Sequence, residues 1–372
     1  MEKLSPLDYG RKACETIMKK YPPDKLPPYA ADRNPPVGLF SYHQGVFLSG
    51  MNRIYQKCKD KKYFDYIKGW VDSVTTPDGK IIELGGWVSL ETLDFRQPGI
   101  LMFPLYEETG EEKYIEVVKY LAESLPVFPT NTLGGFWHMQ SQPNQMWLDG
   151  LYMAGPVLAM YADKYNKPEL LELVIKQVFV MWDNMRDEKT GLLRHGWDES
   201  KVAEWADPKT GLSQEVWGRA MGWFVTALAD ILDYIPKNHK DRDRLIEIEA
   251  ALLMSAVKYQ HEGGRFYQVL DKGGNDGNWL ENSCTCLLVY AIAKSVKNGY
   301  IEEKYLEYAK KGYEGVISSL TYSDDGELLL GDVCIGTCID SGDYKHYINR
   351  ETCVNDLHGS GAFVLMCSEV IL

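Results

Sequence analysis

Apolar residues recur every three to four positions through most of the chain, the spacing of helices that bury one face. Between Pro6 and Tyr21, the residues Ala13, Ile17 and Met18 share a face. Val46, Phe47, Met51 and Tyr55 do so between His43 and Lys59, as do Phe64, Tyr66, Ile67 and Trp70 between Lys62 and Val74. Further helical segments are predicted at Leu90–Glu108, Glu112–Leu125, Gln145–Lys164, Pro168–Met185, Glu215–Ile235, Asp241–Tyr259, Trp279–Lys297, Glu302–Leu320 and Asp356–Leu372. The pattern therefore predicts twelve helices.

The connections alternate. Those after the second, fourth, sixth and tenth helices are short and polar, and the one around Pro236-Lys237-Asn238-His239 is only slightly longer. The others are long and rich in glycine and aromatics: Leu84-Gly85-Gly86-Trp87-Val88, Gly134-Gly135-Phe136-Trp137-His138, Gly191 to Trp197, Gly263 to Tyr267 and Gly326 to Leu330. Each pairs a glycine turn with a short apolar run that reads as a small strand. One helical hairpin thus repeats weakly, with all long loops on one side. An open solenoid would satisfy this pattern. Six hairpins closing into an all-α (α/α)6 barrel fit better, because the even-numbered helices, rich in Tyr and Trp, would line a central pocket. No Pro/Ser-rich linker interrupts residues 1–372, which predicts one catalytic domain.

Composition narrows the function. With 40 Lys+Arg against 53 Asp+Glu, the net charge of −13 leaves no basic face for a phosphate backbone, which argues against nucleic acid as a partner. An anionic ligand would need a local cationic pocket. The 10 Trp and 24 Tyr suit either sugar-ring stacking or a large core. The eight cysteines form no dense framework, and Cys334 and Cys338, the one pair near metal spacing, lack a matching second pair. Free thiols in a reducing cytoplasm fit better. No secretory signal or membrane-spanning stretch is visible, so a cytoplasmic protein without a membrane partner is expected. Walker, G-x-S-x-G, H-E-x-x-H and dinucleotide motifs are absent.

If the even-numbered helices form the inner ring, their N-termini converge on one mouth. Near those starts stand Tyr42 and His43, Asp94 and Arg96, Trp147 and Asp149, Trp217, Arg219 and Trp223, Trp279, Glu281 and Asn282, and Asp356 and His358. Helix N-termini favour carboxylates. Asp94 and Asp149 could simply cap helices. Asp149, however, interrupts the apolar run Met146-Trp147-Leu148 and Gly150-Leu151-Tyr152-Met153, where a carboxylate is costly unless it is paired or used. His138 and His195 sit in long loops beside Trp137 and Trp197. Trp217 and Trp223 frame Arg219, whose guanidinium could grip a carboxylate there.

These residues carry a family resemblance. Tyr42-His43-Gln44-Gly45-Val46-Phe47, Gly134-Gly135-Phe136-Trp137-His138, Gln145 to Met153, Trp217 to Trp223, Asn278-Trp279-Leu280-Glu281 and Asn355-Asp356-Leu357-His358-Gly359 resemble the unsaturated rhamnogalacturonyl hydrolases, glycoside hydrolase family 105, over nearly the whole chain. The resemblance implies an (α/α)6 barrel acting on a small oligosaccharide without metal or organic cofactor. It implies hydration of the 4,5-double bond of a terminal unsaturated uronic sugar, giving a hemiketal that opens and releases its neighbour. By resemblance, Asp149 is the general acid/base and Asp94 the second carboxylate. Tyr42, His138, His195, Trp217, Arg219, Trp223, Thr337 and His358 are implied substrate contacts. Protonating an alkene requires a protonated acid, so a raised pKa is expected for Asp149. The same chemistry on an unsaturated glucuronyl sugar, as in the related family 88, is the alternative. Two departures stand out: Ser41 where a histidine is expected, and a longer Gly336–Tyr344 segment than the family's compact form.

Overall fold

The computed structural model describes residues 4–28, 39–83 and 86–370. Its helices are α1 (Pro6–Lys20), α2 (Tyr42–Cys58), α3 (Lys61–Ser73), α4 (Met102–Thr109), α5 (Lys113–Glu123), α6 (Asp149–Lys164), α7 (Pro168–Met185), α8 (Gly218–Ile231), α9 (Arg242–Ala256), α10 (Asn282–Lys297), α11 (Leu306–Ser319), α12 (Tyr344–Ile348) and α13 (Leu357–Glu369). All twelve expected helices are present, and the short α12 is an addition inside the last long loop. Leu84, Gly85 and the end of the twelfth expected helix at Ile371 and Leu372 lie outside the described residues.

Several starts come later than expected. The fourth helix opens as two 3-10 turns, Leu93–Phe95 and Gln97–Leu101, and becomes regular only at Met102. Pro98 and Gly99 explain this, since one has no backbone N–H and the other little helical preference. Residues expected to begin the sixth and tenth helices are strands instead. Gln145–Trp147 pairs antiparallel with Gly196–Asp198, and Leu280–Glu281 with Phe266–Tyr267. Three further two-stranded ribbons join Ile82–Glu83 to Gly86–Trp87, Thr321–Tyr322 to Leu328–Leu329, and Val333–Cys334 to Thr352–Cys353. The strand expected after Gly134 is reduced to a single bridge between Thr130 and Phe136.

The inner ring closes. α2 packs on the Gln97–Leu101 turn that leads into α4, that turn on α6, α6 on α8, α8 on α10, α10 on α13, and α13 back on α2. The return of α13 to α2 rules out the open solenoid. Outside stand α1 on α13 and α2, α3 on α2, α5 on α4, α7 on α6, α9 on α8 and α11 on α10. Burial sorts the two rings. Every residue of α8 and of α13 is buried, whereas α3 buries one stripe, Tyr63, Phe64, Tyr66, Ile67, Trp70 and Val71. Close helix approach needs small residues: a Cβ on Gly361 of α13 would stand 2.4 Å from Val46 Cγ1 and 2.8 Å from the Phe47 backbone nitrogen.

The far ends of the inner helices hold a charge cluster. Asp230 of α8 accepts hydrogen bonds from Arg53 (2.9 Å), Tyr290 (2.6 Å) and Lys294 (2.5 Å). Burial alone would push this carboxyl up, but Arg53 and Lys294 outweigh it and hold the pKa at about 2. Among the described residues, no helix is long and apolar enough to cross a membrane.

Candidate active site

The inner helices begin at the long-loop mouth, and there they surround a cavity of about 670 Å³. Its lining includes Tyr42 and His43 from the start of α2, Asp94 from the 3-10 turn before α4, and Asp149 and Met153 from α6. The loops add His138, Met139, Trp147, Ile335, Gly336, Thr337, Cys338, Arg350 and Asp356. Many of these groups come from helix starts or connecting loops, which a rigid double ring holds in place.

Asp149 is the first residue of α6 and is 8% exposed. Its Oδ2 lies 3.2 Å from Nε2 of the fully buried His195. The other ring nitrogen of His195 meets the Tyr347 hydroxyl at 2.7 Å. Aromatic rings enclose the imidazole, with Trp217 at 4.6 Å and Trp147 at 5.8 Å between centroids. Burial lowers the pKa of His195, although the neighbouring Asp149 pulls it the other way. The carboxyl of Asp149 is then under opposing influences. Burial raises its pKa, while His195, the more distant His138 and the helix N-terminus lower it, and the net direction is downward. This direction is opposite to the raised pKa expected of an acid that protonates an alkene. A histidine from another loop reverses the effect of burial.

Asp94 and His138 form a second pair, with Oδ1 and Nε2 3.4 Å apart. Burial works against a protonated His138, but the Asp94 carboxylate overcomes it and raises the pKa. The imidazole of His138 stacks on Trp147 at 4.4 Å with an interplanar angle of 11°. A third chain runs from Asp356, the N-cap of α13, through His358 to the Tyr42 hydroxyl, which His358 Nε2 meets at 2.7 Å. Ser41 caps α2, and its hydroxyl meets His43 Nδ1 at 2.7 Å. Three carboxylates, each beside a histidine, thus share one cavity with an indole wall. That set can move protons and hold a polyhydroxylated ring.

The family model for Glycosyl Hydrolase Family 88 matches residues 9–372. A solved family 105 glycoside hydrolase from C. acetobutylicum ATCC 824 superposes with a TM-score of 0.89 and 34% identity, covering 97% of this chain and 99% of that one. The chain belongs to the family 88 and 105 glycoside hydrolases. Protein Atu3128 of Agrobacterium fabrum is 33% identical over 149 residues, 40% of this chain and 63% of its own length. An unsaturated 3S-rhamnoglycuronyl hydrolase of Alteromonas sp. is 22% identical over 247 residues, 64% of this chain and 54% of its own length. The chain thus spans about half to three-fifths of these curated relatives.

In this family 88/105 member, the residues singled out from sequence divide into two groups. Tyr42, Asp94, His138, Asp149 and Thr337 line the cavity. His195, Trp217, Arg219, Trp223 and His358 stand behind that lining, each at most 1% exposed. There His195 lies against Asp149 and His358 against Tyr42. Trp217 lies over both His195 and Arg219, and Trp223 packs on Tyr152 at 4.5 Å. Arg219 differs most from expectation. Its two terminal nitrogens donate to the backbone carbonyls of Cys334 and Ile335, and its guanidinium stacks on Trp217, so it braces the loop instead of facing the cavity. Sequence reasoning missed Tyr347 and Arg350, which come from α12 and the turn after it. Their one signal was the extra length of the Gly336–Tyr344 segment. Among the described residues, Glu172, His239 and Asp241 place ligand atoms close enough to share a metal ion, and none of them lines the cavity.

Proposed function

We propose that the protein releases the terminal 4,5-unsaturated galacturonyl residue from rhamnogalacturonan-derived disaccharides by hydrating the C4=C5 double bond. The observation that carries this reading is the buried Asp149–His195–Tyr347 chain facing Asp94 across one cavity. The Alteromonas relative, an unsaturated 3S-rhamnoglycuronyl hydrolase, supports the substrate class. In the proposed reaction, the protonated Asp149 carboxyl gives its proton to C4. The alkene electrons form the new C4–H bond, and C5 becomes an oxocarbenium centre shared with the ring oxygen. Water attacks C5 and returns a proton to Asp149. The C5 hemiketal then opens, and the hemiacetal left at C1 releases the neighbouring sugar. Asp94, held beside His138, orients the water and ring hydroxyls, and Trp147 supplies the stacking wall. Residues 1–372 act as one catalytic domain in the cytoplasm, where the thiols of Cys14, Cys58, Cys284, Cys286, Cys334, Cys338 and Cys367 stay reduced.

In the free protein His195 draws the pKa of Asp149 down, so the proposed reaction requires substrate binding to raise it. An anionic sugar adds like charge beside Asp149 and expels water, and both effects push the carboxyl upward. A proton donor is lost as pH rises through its pKa. The alkaline limb of kcat, which reports the bound enzyme, should therefore lie at higher pH than that of kcat/KM, which reports the free enzyme. Coincident limbs would mean that binding does not retune Asp149. The substrate assignment is tested with a panel of lyase-generated oligosaccharides, following loss of the conjugated-alkene absorbance. The reading expects the galacturonyl–rhamnose disaccharide to turn over fastest. Faster turnover of an unsaturated glucuronyl sugar would favour that substrate with the same chemistry.

A further inference from the structure

We propose that Arg350 is the counter-charge for the carboxylate of the bound sugar, and so sets the preference for an anionic ring. This rests on the hydration reading above only for the identity of the ligand. Three carboxylates line the cavity, on Asp94, Asp149 and Asp356, and Arg350 is the one lysine or arginine side chain among the described lining residues. An anionic sugar entering this space meets repulsion unless a cation faces it.

The two arginines near the cavity divide the work. Arg219 is 1% exposed, and its terminal nitrogens are used on the Cys334 and Ile335 carbonyls. It stands behind the cavity lining and not in it. Arg350 holds the next two residues of the same strip. Its Nε donates to the Thr337 hydroxyl at 3.2 Å, and its Nη2 donates to the Gly336 carbonyl. Thr337 is fixed in turn, donating to the Ile335 carbonyl at 2.9 Å. These bonds hold the guanidinium plane in place while leaving Nη1 outside them. A positioned guanidinium with a free edge suits a carboxylate, because the planar fork matches the two oxygens and loses little freedom on binding.

The test is calorimetric binding of an unsaturated galacturonyl disaccharide and of its neutral methyl ester, to the wild type and to Arg350→Met and Arg350→Lys, with turnover followed in parallel. The wild type should bind the acid about 10- to 100-fold more tightly than the ester, as a charge-assisted pair requires. Arg350→Met should lose most of that difference and bind acid and ester alike. Arg350→Lys should fall between, keeping the charge without the fork. KM for the acid should rise in step, with kcat changed much less. Equal binding of acid and ester by the wild type overturns the assignment without any variant. So does an Arg350→Met protein that still prefers the acid, or one that loses kcat alone. If Arg350 governs acid binding but the wild type leaves the alkene intact, the assignment stands and the hydration reading fails.

Discussion

Asp149→Asn should lower kcat by about 10²- to 10⁴-fold, the span attached to a positioned general acid. The substitution keeps the shape of the side chain and can still meet His195 Nε2, 3.2 Å away. It removes the one thing the proposed reaction requires, a proton that can be given to carbon and taken back from water. KM should change little, because the amide still fills the buried site at the start of α6. The same replacement at Asp94 should cost less, since that carboxylate orients water and sugar without transferring the proton. Steady-state kinetics on the unsaturated disaccharide, with circular dichroism to show an intact fold, provide the check. An Asp149→Asn protein with wild-type turnover would remove Asp149 from the chemistry.

The second large effect concerns stability. Asp230→Ala should destabilise the fold by about 3–5 kcal/mol, the usual cost of breaking a buried ion pair from one side. Asp230 is 6% exposed and Lys294 5%, so the buried lysine would keep only Asp233, which is more exposed, and Arg53 would lose its ion-pair partner. The pH dependence has a definite sign. The folded pKa of Asp230 is depressed to about 2 from an ordinary 3.8, so its contribution is present above the ordinary value and fades as pH falls towards about 2. Urea unfolding at neutral pH should show a large gap between wild type and variant. That gap should narrow near pH 3. A gap that is constant or widens with acid would mean that Asp230 is not the charged centre of the cluster.

Much of the fold is legible in the hydrophobic pattern because a double ring forces its own periodicity. The outer helices must show one apolar stripe and the inner helices almost none of the usual polar face, as α8 and α13 do. Alternating loop lengths then fix which ends meet. Helix starts were less legible, because the residues before α6 and α10 alternate as strands and the α4 segment is broken at Pro98.

At the site, Asp149 stands out in sequence by being a carboxylate inside an apolar run. The direction of its pKa shift was not legible, because it depends on His195 from another loop. Arg219 illustrates a different limit: an arginine framed by tryptophans reads the same whether it faces a ligand or braces buried carbonyls. Tyr347 and Arg350 lie in a segment with no helical or strand period until α12, and its path turns at Asp340 (φ 46°) and Gly342 (φ 64°). Nothing in such a stretch tells which side chain turns inward.

The most direct test is turnover of the unsaturated galacturonyl–rhamnose disaccharide in D₂O, with the product analysed for deuterium and the alkene absorbance followed throughout. Hydration initiated by Asp149 predicts loss of the absorbance together with rhamnose release, and one deuterium on C4 of the opened uronic product. Release of rhamnose with the alkene intact and no deuterium at C4 would contradict it, and would show that the cavity cleaves the glycosidic bond directly.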